Sequence, residues 1–152
     1  MTQSSRNLFL IWSGLIVGVS LLATPAKFLA PDLGLTQALQ VGRVTFQVMA
    51  CAELILLAIS IIIVVLNLGS HWRDVKWSLV IAALLAVQYL GVLPLLSSYT
   101  DQIFNGRPSG APSHLHSLYV LIELIKLGLL LALGLRPSAK NSSYALSQEE
   151  RL

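Results

Sequence analysis

Four polar side chains lie inside apolar stretches of this sequence: Glu53, Gln88, Glu123 and Lys126. A charged side chain at the centre of a bilayer costs about 2.5–3.5 kcal/mol on insertion scales. Such residues persist where they pair with one another or face the interior of a helical bundle. Two carboxylates and one ammonium can form a structural ion-paired cluster, a cation site or a proton relay.

The last apolar stretch carries a polar stripe. At about 100° per residue in a helix, His116, Tyr119, Glu123 and Lys126 fall within about 80° of one another. The rise of about 1.5 Å per residue places Lys126 about 15 Å below His116. The stripe therefore extends from the predicted outer end of the helix to the middle of the membrane.

The second apolar stretch carries a looser stripe of Arg43, Gln47 and Glu53. Glu53 lies about 15 Å below Arg43, and Gln88 falls near the middle of the third stretch. We therefore expect the four polar residues to meet at the membrane midplane, with Lys126 paired to Glu53, to Glu123 or to both. Arg43, Gln47, His116 and Tyr119 are further candidates on the outer side.

No metal site or cofactor is predicted. His114 and His116 form the sole histidine pair, and they are weak candidates because a zinc site takes three or four ligands. No nucleotide-binding or hydrolase motif is present in the sequence. The net charge of +3 is spread along the chain, so nucleic-acid binding is not predicted.

The elements that must position these residues are membrane-spanning helices. Of the 152 residues, 55% are hydrophobic and 11% are charged, whereas soluble domains carry about 25% charged residues. A spanning helix needs about 20 mostly apolar residues. Four stretches qualify, at about 8–28, 44–68, 77–96 and 116–135. The prediction is an all-α four-helix bundle over 1–136, followed by a polar tail over 137–152.

Lysine and arginine predict the orientation, because they are retained on the cytoplasmic side. With four spans, both termini and the loop between spans 2 and 3 share one side. That side holds six of these residues: Arg6, Arg73, Lys76, Arg136, Lys140 and Arg151. The other side holds Lys27, Arg43 and Arg107. We therefore predict that both termini are cytoplasmic.

Several local features carry their own expectations. Residues 97–113 are rich in Gly, Pro and Ser and are predicted to form a long non-helical outer loop. Thr36 is a possible N-cap of an early start to helix 2, and Gly42 a possible bend within it. Trp12 is predicted to be an interfacial anchor. Span 1 is expected to supply apolar packing, and a cleaved signal peptide is the alternative for this span.

The chain resembles small bacterial four-helix membrane proteins of unknown function. The resemblance is carried by the stretch Thr24-Pro25-Ala26-Lys27-Phe28, and by Val41-Gly42-Arg43 leading into Phe46 and Glu53. It covers most of the chain in layout. It implies a four-helix fold and a bacterial inner membrane, and it implies no activity.

The spacing of Arg43 and Glu53 is also similar to that in the membrane-associated glutathione-dependent enzymes of eicosanoid metabolism. In that family an arginine and a glutamate at these positions belong to the glutathione site of a trimer. The family usually has an arginine-alanine pair and an asparagine between them. Phe46-Gln47 and Ala50 stand at those places here.

The leading hypothesis is a non-enzymatic integral inner-membrane protein with a structural, accessory, solute-handling or ion-handling role. The first alternative is a membrane-embedded glutathione-dependent transferase. The second is a proton or cation pathway through the midplane residues. The expected partner is the lipid bilayer, with a second copy of the chain or another membrane protein as further possibilities.

Overall fold

A computed structural model of the chain describes residues 3–31, 33–66, 72–105 and 113–136. These ranges form four helices and contain no strand. Helix α1 spans Gln3–Leu29, α2 Leu35–Leu66 and α4 Ser113–Gly134, and α3 consists of the consecutive segments Trp72–Ala86, Val87–Val92 and Leu93–Phe104. Each helix is long and apolar enough to cross a membrane. The predicted all-α bundle with four candidate spans is therefore confirmed.

Apolar residues spaced three or four apart build the core at the end of the bundle where α1 begins and α4 ends. Helix α1 packs along α4 and also contacts α2. The buried residues that share this core are Phe9, Trp12, Ile16, Met49, Ile81, Leu85, Leu127, Leu130 and Leu133. The outward faces of all four helices carry exposed leucine, isoleucine and valine, which suits a lipid environment.

Helix α3 extends further than the sequence predicts. The expected non-helical stretch at 97–113 is wrong over its first part, since the helix continues to Phe104. The hydroxyls of Ser97 and Ser98 donate to the carbonyl of Pro94, and Thr100 donates to Leu96, each at 2.9 Å. Because these hydroxyls form their hydrogen bonds within the helix, the polar residues of this stretch do not end the helix. Residues 106–112 lie outside the described ranges.

Helix α2 begins at Leu35, nine residues before the span predicted from 44, so the early start that the sequence allows is confirmed. Thr36 lies inside the helix and is not its N-cap. The side-chain oxygen of Gln37 instead accepts from the backbone amide of Gly34 at 3.0 Å. The helix continues through Gly42 without interruption. The predicted end of this span at 68 lies outside the described residues.

Helices α1 and α4 also begin before their predicted starts at 8 and 116. The early start of α1 is stabilised by Arg6, whose Nε donates to the carbonyl of Gly134 at 3.3 Å. This contact joins the first turns of α1 to the last turn of α4. The predicted polar tail at 137–152 lies outside the described residues.

Candidate functional site

Glu53 is the centre of a buried polar cluster. Its side chain on α2 is fully buried and accepts hydrogen bonds from each of the other three helices. Trp12 Nε1 on α1 donates to one carboxylate oxygen at 2.8 Å, and the hydroxyl of Tyr89 on α3 donates to the other. Lys126 Nζ on α4 lies 2.6 Å from Glu53 Oε1. One carboxylate therefore joins the whole bundle.

Glu123 is the second carboxylate of the cluster, and it is 2% exposed. Ser20 Oγ donates to Glu123 Oε1 at 2.9 Å, and Gln88 Nε2 donates to Oε2 at 2.7 Å. Lys126 Nζ also lies 2.7 Å from Oε2. The two carboxylates therefore contact the same ammonium, Glu53 from α2 and Glu123 from three residues earlier on α4 itself.

The N–H donors of Lys126 are equal in number to the polar side chains that accept from them. An ammonium has three N–H donors, and the acceptors here are Glu53, Glu123 and the side-chain carbonyl of Gln88 at 2.9 Å. The structure thus brings together the four residues that the sequence places at the midplane. Lys126 contacts both carboxylates rather than one. Removing a single partner from a buried pair costs about 3–5 kcal/mol, because it leaves a charge without compensation.

Three donors of the cluster were not identified from the sequence: Trp12, Ser20 and Tyr89. Trp12 is fully buried, so its predicted interfacial position is wrong, and α1 supplies polar groups as well as apolar packing. An indole combines a large apolar body with one N–H donor, which usually finds an acceptor when the ring is buried. This property could have indicated Trp12 as a donor to the cluster. The π-helical turns Val17–Ala23 and Val87–Val92 carry Ser20 and Tyr89. A π-helical turn contains more residues than an α-helical turn. These side chains therefore point in directions that a regular helical wheel does not predict.

A cavity of about 510 Å³ adjoins the cluster and reaches Ser20 and Glu123. It lies between the later part of α1, the early part of α2, the later part of α3 and the early part of α4. Most of its wall is apolar, and its basic side chains are Lys27, Arg43 and His116. The size is typical of small-molecule sites, which measure about 300–1,000 Å³.

The outer-side residues predicted from the sequence separate into two groups. Arg43, His116 and Tyr119 line the cavity, whereas Gln47 is exposed and is not part of the cavity wall. Arg43 forms an ion pair with Asp101 at 2.6 Å, which the sequence analysis did not predict. His114 is exposed and is not part of the cavity wall. Within the described ranges, no group of three or more His, Cys, Asp and Glu side chains is arranged to hold a metal ion.

Two donors in the cavity wall lack an acceptor among the described residues. The hydroxyl of Tyr119 is buried without a hydrogen-bond partner, although its ring packs against Phe46 at 4.9 Å between centroids. Leaving such a buried donor unsatisfied costs about 1–3 kcal/mol. The ammonium of Lys27 lies 5.1 Å from the ring centroid of Phe28 and 5.9 Å from that of Phe46. No carboxylate within the described ranges lies at ion-pair distance from it.

The cavity approaches the cluster from one side. On the other side of Lys126, the next turns of α4 present Leu130 and Leu133, which are at most 1% exposed. They pack against Phe9 and Ile81 in the apolar core. The described part of the bundle therefore has one end that contains this cavity and one end that is filled by the apolar core.

Comparison with known proteins adds no assignment to this geometry: no family model matches the chain, and no significant match is found among curated proteins or solved structures.

Proposed function

We propose that this protein is a solute-handling integral membrane protein, which binds a small molecule in the cavity beside its buried ionic cluster. The observation that carries the proposal is the cavity of about 510 Å³ that reaches Glu123. A protein with a purely structural role needs paired buried charges, but it has no use for a cavity of ligand size beside them. The cluster itself, with its matched donors and acceptors, acts as the rigid wall of the site.

One-sided access favours binding over conduction. A proton or cation pathway requires polar or hydrated access to the cluster from both ends of the bundle. The residues beyond Lys126 are apolar and closely packed, with Leu130 fully buried and Leu133 1% exposed. A cavity that reaches the cluster from one side suits reversible binding of a ligand better than conduction through the bundle.

The glutathione-dependent alternative is less well supported. It requires Arg43 to hold an anionic group of the substrate, and this guanidinium is paired with Asp101 at 2.6 Å. Glutathione carries two carboxylates, an amine and two amides, each of which needs a polar partner when buried. The mainly apolar cavity wall offers few of them.

We also propose the orientation and location of the protein. Both termini lie in the cytoplasm, and the membrane is the inner membrane of a bacterium. The excess of lysine and arginine on the side of the termini supports the first statement. The layout shared with small bacterial four-helix membrane proteins supports the second. In this orientation the cavity lies in the outer half of the bundle.

Cysteine labelling tests the proposal. With Cys51 replaced by alanine, Val120→Cys introduces a thiol in the cavity wall, and Val48→Cys introduces one on the exposed face of α2. A membrane-impermeant methanethiosulfonate reagent added outside intact cells is expected to modify Val120→Cys at least about tenfold faster, since a thiol that faces lipid ionises poorly.

Equal and slow modification of the two thiols would show that the cavity is closed to water, which would refute the proposed function. Labelling of Val120→Cys that occurs solely after the cells are opened would keep the cavity but reverse the proposed orientation.

A further inference from the structure

A second concave site, a surface groove of about 460 Å³, lies at the end of the bundle that is filled by the apolar core. The described residues of its wall are Lys76, Trp77 and Val80 near the start of α3, and Arg136 just after the end of α4. We call this site the basic groove, because two of these four side chains carry a positive charge. It is separate from the cavity beside Glu123, which lies between the opposite ends of the same two helices.

The basic groove lies at the level where the candidate spans end. The candidate span in α3 begins at Val75, and the one in α4 ends at Gly134. Lys76 is exposed, and Trp77 and Arg136 are half-buried. A tryptophan ring at the end of a span is typical of the headgroup layer of a membrane. When the four helices cross a bilayer, the basic groove therefore faces lipid headgroups.

The guanidinium of Arg136 is positioned by Trp77. Its central carbon lies over the indole ring, 5.7 Å from the centroid. A cation–π contact of this kind orients the guanidinium through its charge. The N–H donors of an arginine form a rigid fork that binds two phosphate oxygens at once, and a lysine adds a point charge. Arg136 and Lys76 in one groove are therefore suited to a phosphate group.

This end of the bundle keeps an excess of positive charge whatever ion pairs form within it. The sequence segments 1–6, 67–76 and 136–152 lead into it, and they contain six basic and three acidic side chains: Arg6, Arg73, Lys76, Arg136, Lys140 and Arg151, against Asp74, Glu149 and Glu150. Pairing among them can neutralise at most half of the basic residues. The remaining positive charge attracts an anionic ligand to this end.

The wall of the basic groove changes from charged to apolar with depth. Val80 follows Lys76 by four residues, so it lies on the same face of α3, about 6 Å further into the span. Val80 is 40% exposed, and the neighbouring Leu79 is 61% exposed. A phosphate that carries acyl chains on its membrane side matches this order of charged and apolar surface. A soluble phosphate uses the charged part alone.

We infer that the basic groove binds one anionic phospholipid, whose phosphodiester contacts Arg136 and Lys76 and whose acyl chains pass along Val80. Basic pockets between membrane helices bind anionic headgroups through the same combination of positive charge and interfacial position. The inference goes beyond the proposed function, and its test is independent of the cavity beside Glu123.

Native mass spectrometry of the full-length protein tests the inference, because it counts the lipids that stay bound. The protein in detergent is titrated with phosphatidylglycerol and, separately, with zwitterionic phosphatidylcholine. One phosphatidylglycerol is expected to bind at least about tenfold more tightly than phosphatidylcholine. Arg136→Gln is expected to weaken phosphatidylglycerol binding by about tenfold or more, and Lys76→Met by about threefold or more, since the arginine contributes two hydrogen bonds.

Arg6→Gln is the matched control for Arg136→Gln. Arg6 lies at the same end of the bundle, where it donates to the carbonyl of Gly134, and it is not among the residues of the groove wall. The change removes the same charge, and phosphatidylglycerol affinity is expected to fall by less than about twofold. Equal losses in Arg6→Gln and Arg136→Gln would indicate a general attraction of anionic lipid to this end and would overturn the inference.

Two further variants keep the test decisive. Arg136→Lys keeps the charge without the fork of N–H donors, so its affinity is expected to lie between those of the wild type and Arg136→Gln. If Arg136→Gln is poorly folded, Lys76→Met still tests the groove, because Lys76 is exposed. Wild-type affinity in both Arg136→Lys and Lys76→Met would contradict a phosphate contact at these residues.

A soluble phosphate ester separates the headgroup from the chains. Glycerol 3-phosphate at millimolar concentration is expected to leave bound phosphatidylglycerol in place, because it has no acyl chain to lie along Val80. Displacement by glycerol 3-phosphate would assign the basic groove to a soluble phosphate ester and overturn the lipid assignment. Equal retention of phosphatidylglycerol and phosphatidylcholine would overturn the requirement for an anionic headgroup.

Discussion

At the scale of single residues, Lys126 has the clearest role. Its ammonium contacts a carboxylate on α2, an amide on α3 and a carboxylate on its own helix. These contacts involve fully or nearly fully buried groups. Burying these charges costs desolvation free energy, which is offset only when every charge is paired. Removing one member therefore leaves the remaining charges buried without compensation and destabilises the bundle.

Lys126→Met is therefore expected to destabilise the bundle by about 3–5 kcal/mol, because it leaves Glu53 and Glu123 buried without a counter-charge. Thermal unfolding in detergent measures the effect, and Lys76→Met serves as a surface control. Adding Glu53→Gln and Glu123→Gln to Lys126→Met should recover much of the stability. An unchanged melting temperature in Lys126→Met would contradict the pairing described above.

At the scale of elements, local departures from regular helix geometry position the polar groups. The π-helical segments of α1 and α3 carry Ser20, Gln88 and Tyr89, all of which donate to the carboxylates. Such segments are found frequently at functional sites. The contact of Lys27 with Gly42 is a comparable device between helices, since the missing side chain on α2 admits the ammonium from α1.

Gly42→Ala is expected to displace the Lys27 ammonium with little change in melting temperature. The colliding atom is the end of a flexible side chain, and alanine favours the helix by up to about 1 kcal/mol over glycine. Gly128→Ala is the control, because a Cβ there meets no atom within 4 Å, and thermal unfolding in detergent measures both variants.

At the scale of the whole molecule, four helices enclose a bundle with one packed end and one end that contains a cavity. The exposed apolar side chains on the outside and the ionic cluster inside invert the arrangement of a soluble protein. The asymmetry between the ends is what a binding site with one entrance requires.

Fusion reporters test the orientation of the whole molecule. Six lysine and arginine residues on the side of the termini, against three on the other, predict cytoplasmic termini. A green fluorescent protein fused to the C-terminus should fluoresce, and alkaline phosphatase at the same site should be inactive. The same phosphatase inserted after Gly110 should be active. The reverse pattern would contradict the proposed topology.

The sequence by itself determined the number of candidate spans and the relative heights of the polar residues along them. Apolar length sets the first, and the fixed rise of a helix sets the second. This is why Glu53, Gln88, Glu123 and Lys126 were expected at one level. The helix ends were less predictable. The hydroxyls of Ser98 and Thr100 donate hydrogen bonds to backbone carbonyls one turn earlier, so α3 continues through a polar stretch that was expected to form a loop.

The tertiary structure alone decided how the helices pair and which further donors they supply. Trp12 was predicted to be an interfacial residue, because an indole near the end of a span usually is one. It donates a hydrogen bond to Glu53 instead, because α1 packs against both α2 and α4. The cavity belongs to no single helix, because Lys27, Arg43 and Tyr119 lie on three of them. Depth is a property of one helix and can be read along it, whereas a cavity depends on the distances between helices.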